Sequence, residues 1–421
     1  MVIVNFDGFT NIWEIYGLKE NPFSTSPILV IGGTIPIESF VGRKDNIKRL
    51  SKILTSKGGS RIFVYGDVGV GKTSFVNVVR HSAFVNGFFT PFKEIAVQQD
   101  WNTDNFILNT ISAIYGTLKV LKDKPISNET FKKLESLFEI GRTRVNAGIS
   151  IAGFGGNYEE DQVTDRLPAF SLQEFFQEII KEINENTKKE TIVHYNNLEL
   201  LPEKKIRYIF DNLRDFFQIK GVHFIFVGNL TVHSIIQSMP RFASNLTDTF
   251  HIETLTFEET KEIIRKRFEA LRISPDYNTV LPYSEDCLSV LYKLMEGNIR
   301  NILNSLSTAV LEVTNEKPEI LDRNKLAKIL NEVLEKRYLH TLSNRVREVL
   351  MEIVNHKEIT NKALSDKIKI PRSNISTYLK NLEEAGCVYL RRKNGKDKFW
   401  SAEPKIKWSL LKENPQQTLN I

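Results

Sequence analysis

Cysteine is nearly absent: among 421 residues only Cys287 and Cys387 occur, far apart and with no histidine at ligand spacing. A disulfide framework and a cysteine-based zinc site are therefore excluded. Long apolar runs are also lacking, and the most apolar stretches, such as 222–227, have the length of buried strands. Residues 1–17 carry acids and Trp13 where an export signal needs a basic start and an apolar middle. A protein that stays in the cytoplasm, off the membrane, is the expectation. Charge of one sign is scarce too: 57 Lys and Arg against 51 Asp and Glu leave a net +6, so the placement of basic residues matters more than their excess. No repeat or low-complexity tract stands out apart from a glycine-rich patch at 141–156. What remains is ordinary globular material, 41% hydrophobic and 26% charged, in a chain long enough for two or three domains.

Arg61-Ile-Phe-Val-Tyr65 reads as a short strand and runs into Gly66-Asp67-Val68-Gly69-Val70-Gly71-Lys72-Thr73-Ser74, followed by the apolar-patterned start of a helix. Strand, glycine loop and helix in this order make a phosphate-binding loop. The glycines let backbone N–H groups turn inward around phosphate oxygens, and the helix directs its positive end at them. Lys72 would reach the β- and γ-phosphates of ATP, and Thr73 would ligate Mg²⁺.

Several further segments resemble AAA+ ATPases in identity and in order over about residues 16–311. Upstream, Tyr16-Gly-Leu-Lys-Glu-Asn-Pro22-Phe23 and Ser39-Phe-Val41-Gly42-Arg43 resemble elements that precede the phosphate loop, the second of which packs on adenine in that family. The apolar run ending in Tyr195-Asn196-Asn197-Leu-Glu199 is similar to the family's Walker B strand, where an Asp holds Mg²⁺ and a Glu polarises the attacking water. Here both positions are amides. An amide neither accepts the water's proton nor offsets metal charge, so slow hydrolysis is expected; Glu199 acting from two residues further on is the alternative, and a loop that merely ends a buried strand is a third. The resemblance makes Asn229, at the end of 221–229, a γ-phosphate sensor, although a strand-end turn residue is the plainer reading. It makes Arg241 an arginine finger for a neighbouring subunit, against a surface arginine near a turn. Thr256 with Glu259 forms a capping box that opens a helical lid, in which Glu296-Gly297-Asn298-Ile299-Arg300 resembles the second sensor and Arg300 its arginine.

From about residue 344 the pattern becomes helix, helix, turn, helix and hairpin. Thr360–Ile368 is a short helix, Lys369-Ile-Pro371 a turn, and Ser373–Ala385 a longer helix closed by Gly386. Asn394-Gly395 between two alternating runs predicts a hairpin, the wing of a winged helix-turn-helix. The recognition helix presents Arg372, Ser373, Asn374, Ser376, Thr377 and Lys380 to a major groove, and the wing offers Arg391, Arg392, Lys393, Lys396 and Lys398 to phosphates. Protein docking is the alternative use of such a module.

The predicted architecture is α/β: a P-loop core with a parallel sheet over 1–253, a helical lid over 254–338 and a winged helix over 339–421. This plan resembles the origin-recognition and replication-licensing branch of AAA+ proteins, in which a helical insertion stands where 142–160 here suggests a two-stranded flap, with a plain surface loop as the equal alternative. The resemblance implies an ATP- and Mg²⁺-dependent protein that binds duplex DNA and assembles as a homo-oligomer or with other factors. The alternative is a nucleotide-sensing regulator, or an antiphage or mobile-element ATPase, whose winged helix docks a protein or an operator. A small-molecule kinase is disfavoured, because no acceptor site is visible.

Overall fold

The computed structural model describes residues 11–56, 58–145, 169–314, 317–334, 336, 339–340, 342–395, 397–404 and 406–407, with backbone only for 139–145, 169–170, 334 and 393–394. The chain divides into two compact units, one of Pro27–Glu253 and one of Met1–Ser26 with Thr254–Ile421.

The first unit is built on a five-stranded sheet of β1 (Ser60–Tyr65), β2 (Ile95–Ala96), β3 (Thr191–Asn196), β4 (Val222–Gly228) and β5 (Asp248–His251), in the order β2-β3-β4-β1-β5. Every neighbouring pair is parallel. β3 and β4 are buried along their whole length, as parallel strands covered on both faces are, and in β3 this burial takes in the polar Thr191, His194 and Asn196. On one face Ile62, Val64, Ile192, Ile225 and Val227 pack with Leu50, Phe75, Val76 and Val79 of the helices Lys44–Leu54 and Lys72–Val85. On the other, Phe63, Tyr195, Phe224 and Phe226 meet Phe106, Phe176, Phe210 and Phe217. Each such buried aromatic contributes about 2–3 kcal/mol. At the strands' N-terminal edge the His223 imidazole lies 2.8 Å from Ser60 Oγ and 3.3 Å from Glu190. The expected flap over 142–160 begins as helix instead: Asn128–Val145 continues through Arg142, and 146–168 lie outside the described residues.

In the second unit the N-terminal segment packs as an aromatic plug. Trp13 and Phe23 meet edge-on, Phe23 does the same to Phe268, and the Arg267 guanidinium donates to the carbonyls of Pro22 at 3.1 Å and Ser24 at 2.7 Å. The Thr256 capping box forms as expected and opens the helix Phe257–Ala270. The helices Glu285–Leu294, Ile299–Val313 and Arg323–Leu334 follow. The winged helix comes next: helices Asn344–Val354, Asn361–Ile368 and Arg372–Glu384, with strands β6 (Ile359–Thr360), β7 (Val388–Asn394) and β8 (Asp397–Ala402) in the antiparallel order β6-β8-β7. Asn361 joins two of its parts, accepting from Trp400 Nε1 at 2.7 Å and donating to Ser376 Oγ at 3.1 Å. No helix among the described residues is long and apolar enough to cross a membrane.

Candidate functional site

The glycine loop leaves β1 and ends in Gly71, whose φ of 92° sits at the N-terminus of the helix Lys72–Val85. Gly69 has φ 88°. Both are left-handed values that a side chain disfavours. Gly66 is tied by space as well, since a Cβ there would lie 2.3 Å from the Ile252 carbonyl oxygen. Gly66→Ala is therefore expected to destabilise this unit by about 3 kcal/mol. An unchanged urea midpoint would remove the close approach as an explanation for the glycine.

Lys72 is buried, and its ammonium donates to the loop's own carbonyls, Gly66 O at 3.0 Å and Asp67 O at 2.8 Å. Asp67 and Val68 are exposed at the loop's crest, while Val70 is buried. Ser74 Oγ accepts from Ile28 N at 3.2 Å and so anchors the segment before the loop. Val41 and Gly42 are half-buried, with Gly42 at φ 79°. Arg43, itself at φ 56°, donates to Val70 O at 2.5 Å, Gly71 O at 3.4 Å and Glu253 O at 3.1 Å, clamping the loop from outside.

Asn196, on the helix-facing side of β3, is buried and accepts from the Thr73 hydroxyl at 3.3 Å. Thr73, the expected Mg²⁺ ligand, and Asn196, at the position where the resembled family has an Asp, are thus brought together. Asn197 turns away at φ 63°, a left-handed conformation that Asn tolerates better than most residues. Glu199 follows in a single 3₁₀ turn, and its Oε2 is buried without a hydrogen-bond partner among the described residues. Asn229 caps the helix Leu230–Gln237, its Oδ1 accepting from Val232 N at 2.9 Å. Arg241 is exposed in the short helix Pro240–Ala243. Beside the loop, the Tyr65 ring is stacked between His233 at 3.9 Å and His251 at 4.9 Å. Burial, and then His251, push the His233 imidazole below its ordinary value.

Below the loop helix lies a polar core that sequence reasoning missed. Arg80 is fully buried and donates to Thr90 Oγ1 at 2.9 Å, Asn77 Oδ1 at 2.8 Å, the Pro91 carbonyl, and His194 Nδ1 at 3.2 Å. Burial pushes this guanidinium down to about 10, partly opposed by Glu94. Because Arg80 donates to Nδ1, the His194 proton sits on Nε2, a buried atom without a hydrogen-bond partner among the described residues. Burial first and Arg80 second hold that imidazole well below its usual range.

In the second unit Gly297, at φ 71°, ends one helix turn, and Asn298 caps the next by accepting from Asn301 N at 3.2 Å. Arg300 is exposed on that first turn. The recognition helix Arg372–Glu384 buries Ile375 and Leu379 and exposes all six residues expected to face a groove. Ser376 and Thr377 also bond back to the carbonyls of Arg372 and Ser373, and Lys380 lies 3.6 Å from Glu384. On the wing, Arg392 pairs side-on with Glu358 and stacks 3.6 Å over the Phe399 ring. Arg391 lies 3.8 Å from Glu296, and Lys398 is exposed. Lys396 and the Lys393 side chain lie outside the described residues. Among the described residues no group of three or more His, Cys, Asp or Glu is placed to hold a metal ion.

The sequence model of the KAP family P-loop domain matches residues 43–271, from the clamping Arg43 through the phosphate loop and the whole sheet. The chain belongs to the KAP family of P-loop proteins. In this KAP protein a second model, winged helix-turn-helix DNA-binding, matches residues 342–389. Nucleotide-binding and DNA-binding modules are thus joined in one chain. No curated protein matches it. Solved structures similar to the KAP chain include the ORC2 protein of Aeropyrum pernix in ADPNP-ADP complexes, at 15% identity and TM-score 0.49 over 93% of this chain and 98% of that one. Cdc6p of Pyrobaculum aerophilum is similar at 17% identity and TM-score 0.42, over 93% and 97%. The ORC1 protein of Aeropyrum pernix in complex with DNA is similar at 14% identity and TM-score 0.43, over 93% and 97%.

Proposed function

We propose that this protein is an ATP-controlled, duplex-DNA-binding switch that holds nucleotide longer than it turns it over and assembles on DNA with copies of itself or other factors. The observation that carries the reading is the Thr73–Asn196 pair, 3.3 Å apart, with a phosphate loop on one side and an amide on the other, in a chain that also bears a winged helix. Phosphoryl transfer depends almost wholly on placed charge, and two amides supply none. The oxygens of Thr73 and Asn196 suit a hard cation, so these residues would hold Mg²⁺ together with the phosphates, whose charge the ion would offset. Lys72 and the backbone N–H groups orient the phosphates, and Glu199, two residues past Asn197, is proposed to take a proton from water. Asn229, Arg241 and Arg300 are proposed as nucleotide-sensing groups, with Arg241 serving a neighbouring subunit. Arg372, Ser373, Asn374, Thr377, Lys380 and Lys398 are proposed to meet DNA.

Duplex binding across a salt series, with and without ATP, tests this. The expected result is a linear fall of log affinity with log salt and tighter binding with ATP. Absence of DNA affinity at low salt would overturn it. In parallel, phosphate release is expected to be slow and to fall further in Glu199→Gln; turnover of many per second that ignores Glu199 would sink the switch. A second reading, in which the winged helix docks a protein, is favoured by the pairing of Arg391 and Arg392 with Glu296 and Glu358, which leaves the wing less free charge than its composition suggests. That reading expects binding with little salt dependence.

A further inference from the structure

We infer that this site binds ATP almost independently of Mg²⁺, and that Asn196 is the residue that sets this specificity. The inference rests on the nucleotide reading above and goes beyond it to the chemical form of the ligand. A phosphate loop with a carboxylate opposite its Thr has a built-in conflict, because a polyanion is brought against an anion in a partly buried cleft. A divalent cation between them removes it. Here the group opposite Thr73 is the Asn196 amide, buried, with Oδ1 accepting the Thr73 hydroxyl proton at 3.3 Å. The amide carries a dipole and no charge, so the side chain nearest Thr73 adds no repulsion for an ion to relieve. For the same reason it adds no negative charge to attract the ion.

The cationic side of the site is intact. The Lys72 ammonium is pre-placed on its own loop by Gly66 O and Asp67 O, from which it can turn to a phosphate. Gly69 and Gly71 keep their left-handed values, and the helix start at Lys72 supplies its positive end. These groups attract phosphate without metal, and the side chain that meets Thr73 is a neutral amide where a carboxylate would call for the ion. Free ATP and its Mg²⁺ complex should bind with similar affinity, as should ADP with and without the ion.

Calorimetric titration of the full chain with ATP, in excess Mg²⁺ and in EDTA, tests this with a readout that needs no turnover. The wild-type affinity is expected to differ by at most about threefold between the two media. Asn196→Asp is expected to lose about tenfold or more in EDTA and to regain it with Mg²⁺, since only the charge has changed. A wild-type affinity that falls more than about tenfold in EDTA overturns the inference, as does an Asn196→Asp variant that is folded by circular dichroism yet indifferent to the metal. If that variant does not fold, the wild-type comparison alone decides. Lys72→Ala separates the two levels. Absence of ATP binding by the wild type in both media, or undiminished binding by Lys72→Ala, overturns the nucleotide reading itself and this inference with it. Metal-dependent binding that Lys72→Ala abolishes overturns the inference only.

Discussion

Replacing Lys72 by Ala is expected to abolish the stabilisation that ATP confers on the Pro27–Glu253 unit while leaving the unliganded unit close to wild type. The Nζ of Lys72 bonds two carbonyls of its own loop and is buried with them. In the liganded state its donors go to phosphate oxygens, as charge-assisted hydrogen bonds worth about 1.5–3 kcal/mol each. Losing them raises the dissociation constant about 100-fold, or about 2.7 kcal/mol. At ATP equal to 100 times the wild-type constant, ligand linkage stabilises the native protein by about 2.7 kcal/mol and the variant by only about 0.4 kcal/mol. The thermal-shift response should therefore nearly vanish. The fold should survive, because the freed carbonyls of Gly66 and Asp67 lie on a loop whose crest is exposed and can take water. An ATP-induced shift in Lys72→Ala equal to wild type would remove the loop from nucleotide binding.

The loop was legible from sequence because its signals are local. Gly69 and Gly71 occupy left-handed positions within three residues of Lys72, and β1 and the helix flank them directly. The Thr256 capping box and the Asn394-Gly395 hairpin belong to the same class, each deciding its structure within a few residues. The Thr73–Asn196 pair was legible at longer range only because both residues belong to motifs of one family pattern. Charge pairing was not legible. Arg391 and Arg392 read as free phosphate ligands, whereas Glu296 and Glu358, 95 and 34 residues away, lie against them. Asn229 had two readings, and its cap bond to Val232 N gives it a structural task whatever else it does. Asn197 is similar: its left-handed backbone is reason enough for an Asn, so its departure from an acid is weaker evidence about chemistry than that of Asn196. The Arg80 cluster has no signature in the sequence. It gathers side chains from residues 77, 80, 90 and 194, and nothing in the local pattern of the helix Lys72–Val85 marks a buried arginine on its inner face.

Arg80 carries the other large expected effect. Replacing it by Leu is expected to destabilise the Pro27–Glu253 unit by about 3–5 kcal/mol, the range for breaking a buried charged network from one side. The loss does not come from apolar volume, which Leu partly restores. It comes from the partners left behind: Asn77 Oδ1, Thr90 Oγ1, the Pro91 carbonyl and His194 Nδ1 are all buried and would lose their donor together. Arg80→Lys should fall between, because an ammonium replaces the charge but cannot reach so many acceptors in one plane. The same cluster sets a pH dependence. His194 stays neutral in the fold, held well below its ordinary value by burial and then by Arg80, while in the unfolded chain it binds a proton below about 6.5. The unfolded state then holds more protons, so stability is fully present above that pH and is lost as pH falls through it, by about 1.4 kcal/mol per unit for this group. His223 and His233, both lowered chiefly by burial, push in the same direction. In Arg80→Leu the dependence should persist, since burial is the larger cause at His194. Urea unfolding followed at Trp101, with Trp13, Trp400 and Trp408 changed to Phe, reads this unit alone. Stability that stays flat between pH 7.5 and 5.5 would show that His194 is solvated in solution, and a loss under about 1 kcal/mol in Arg80→Leu would mean that water replaces the guanidinium.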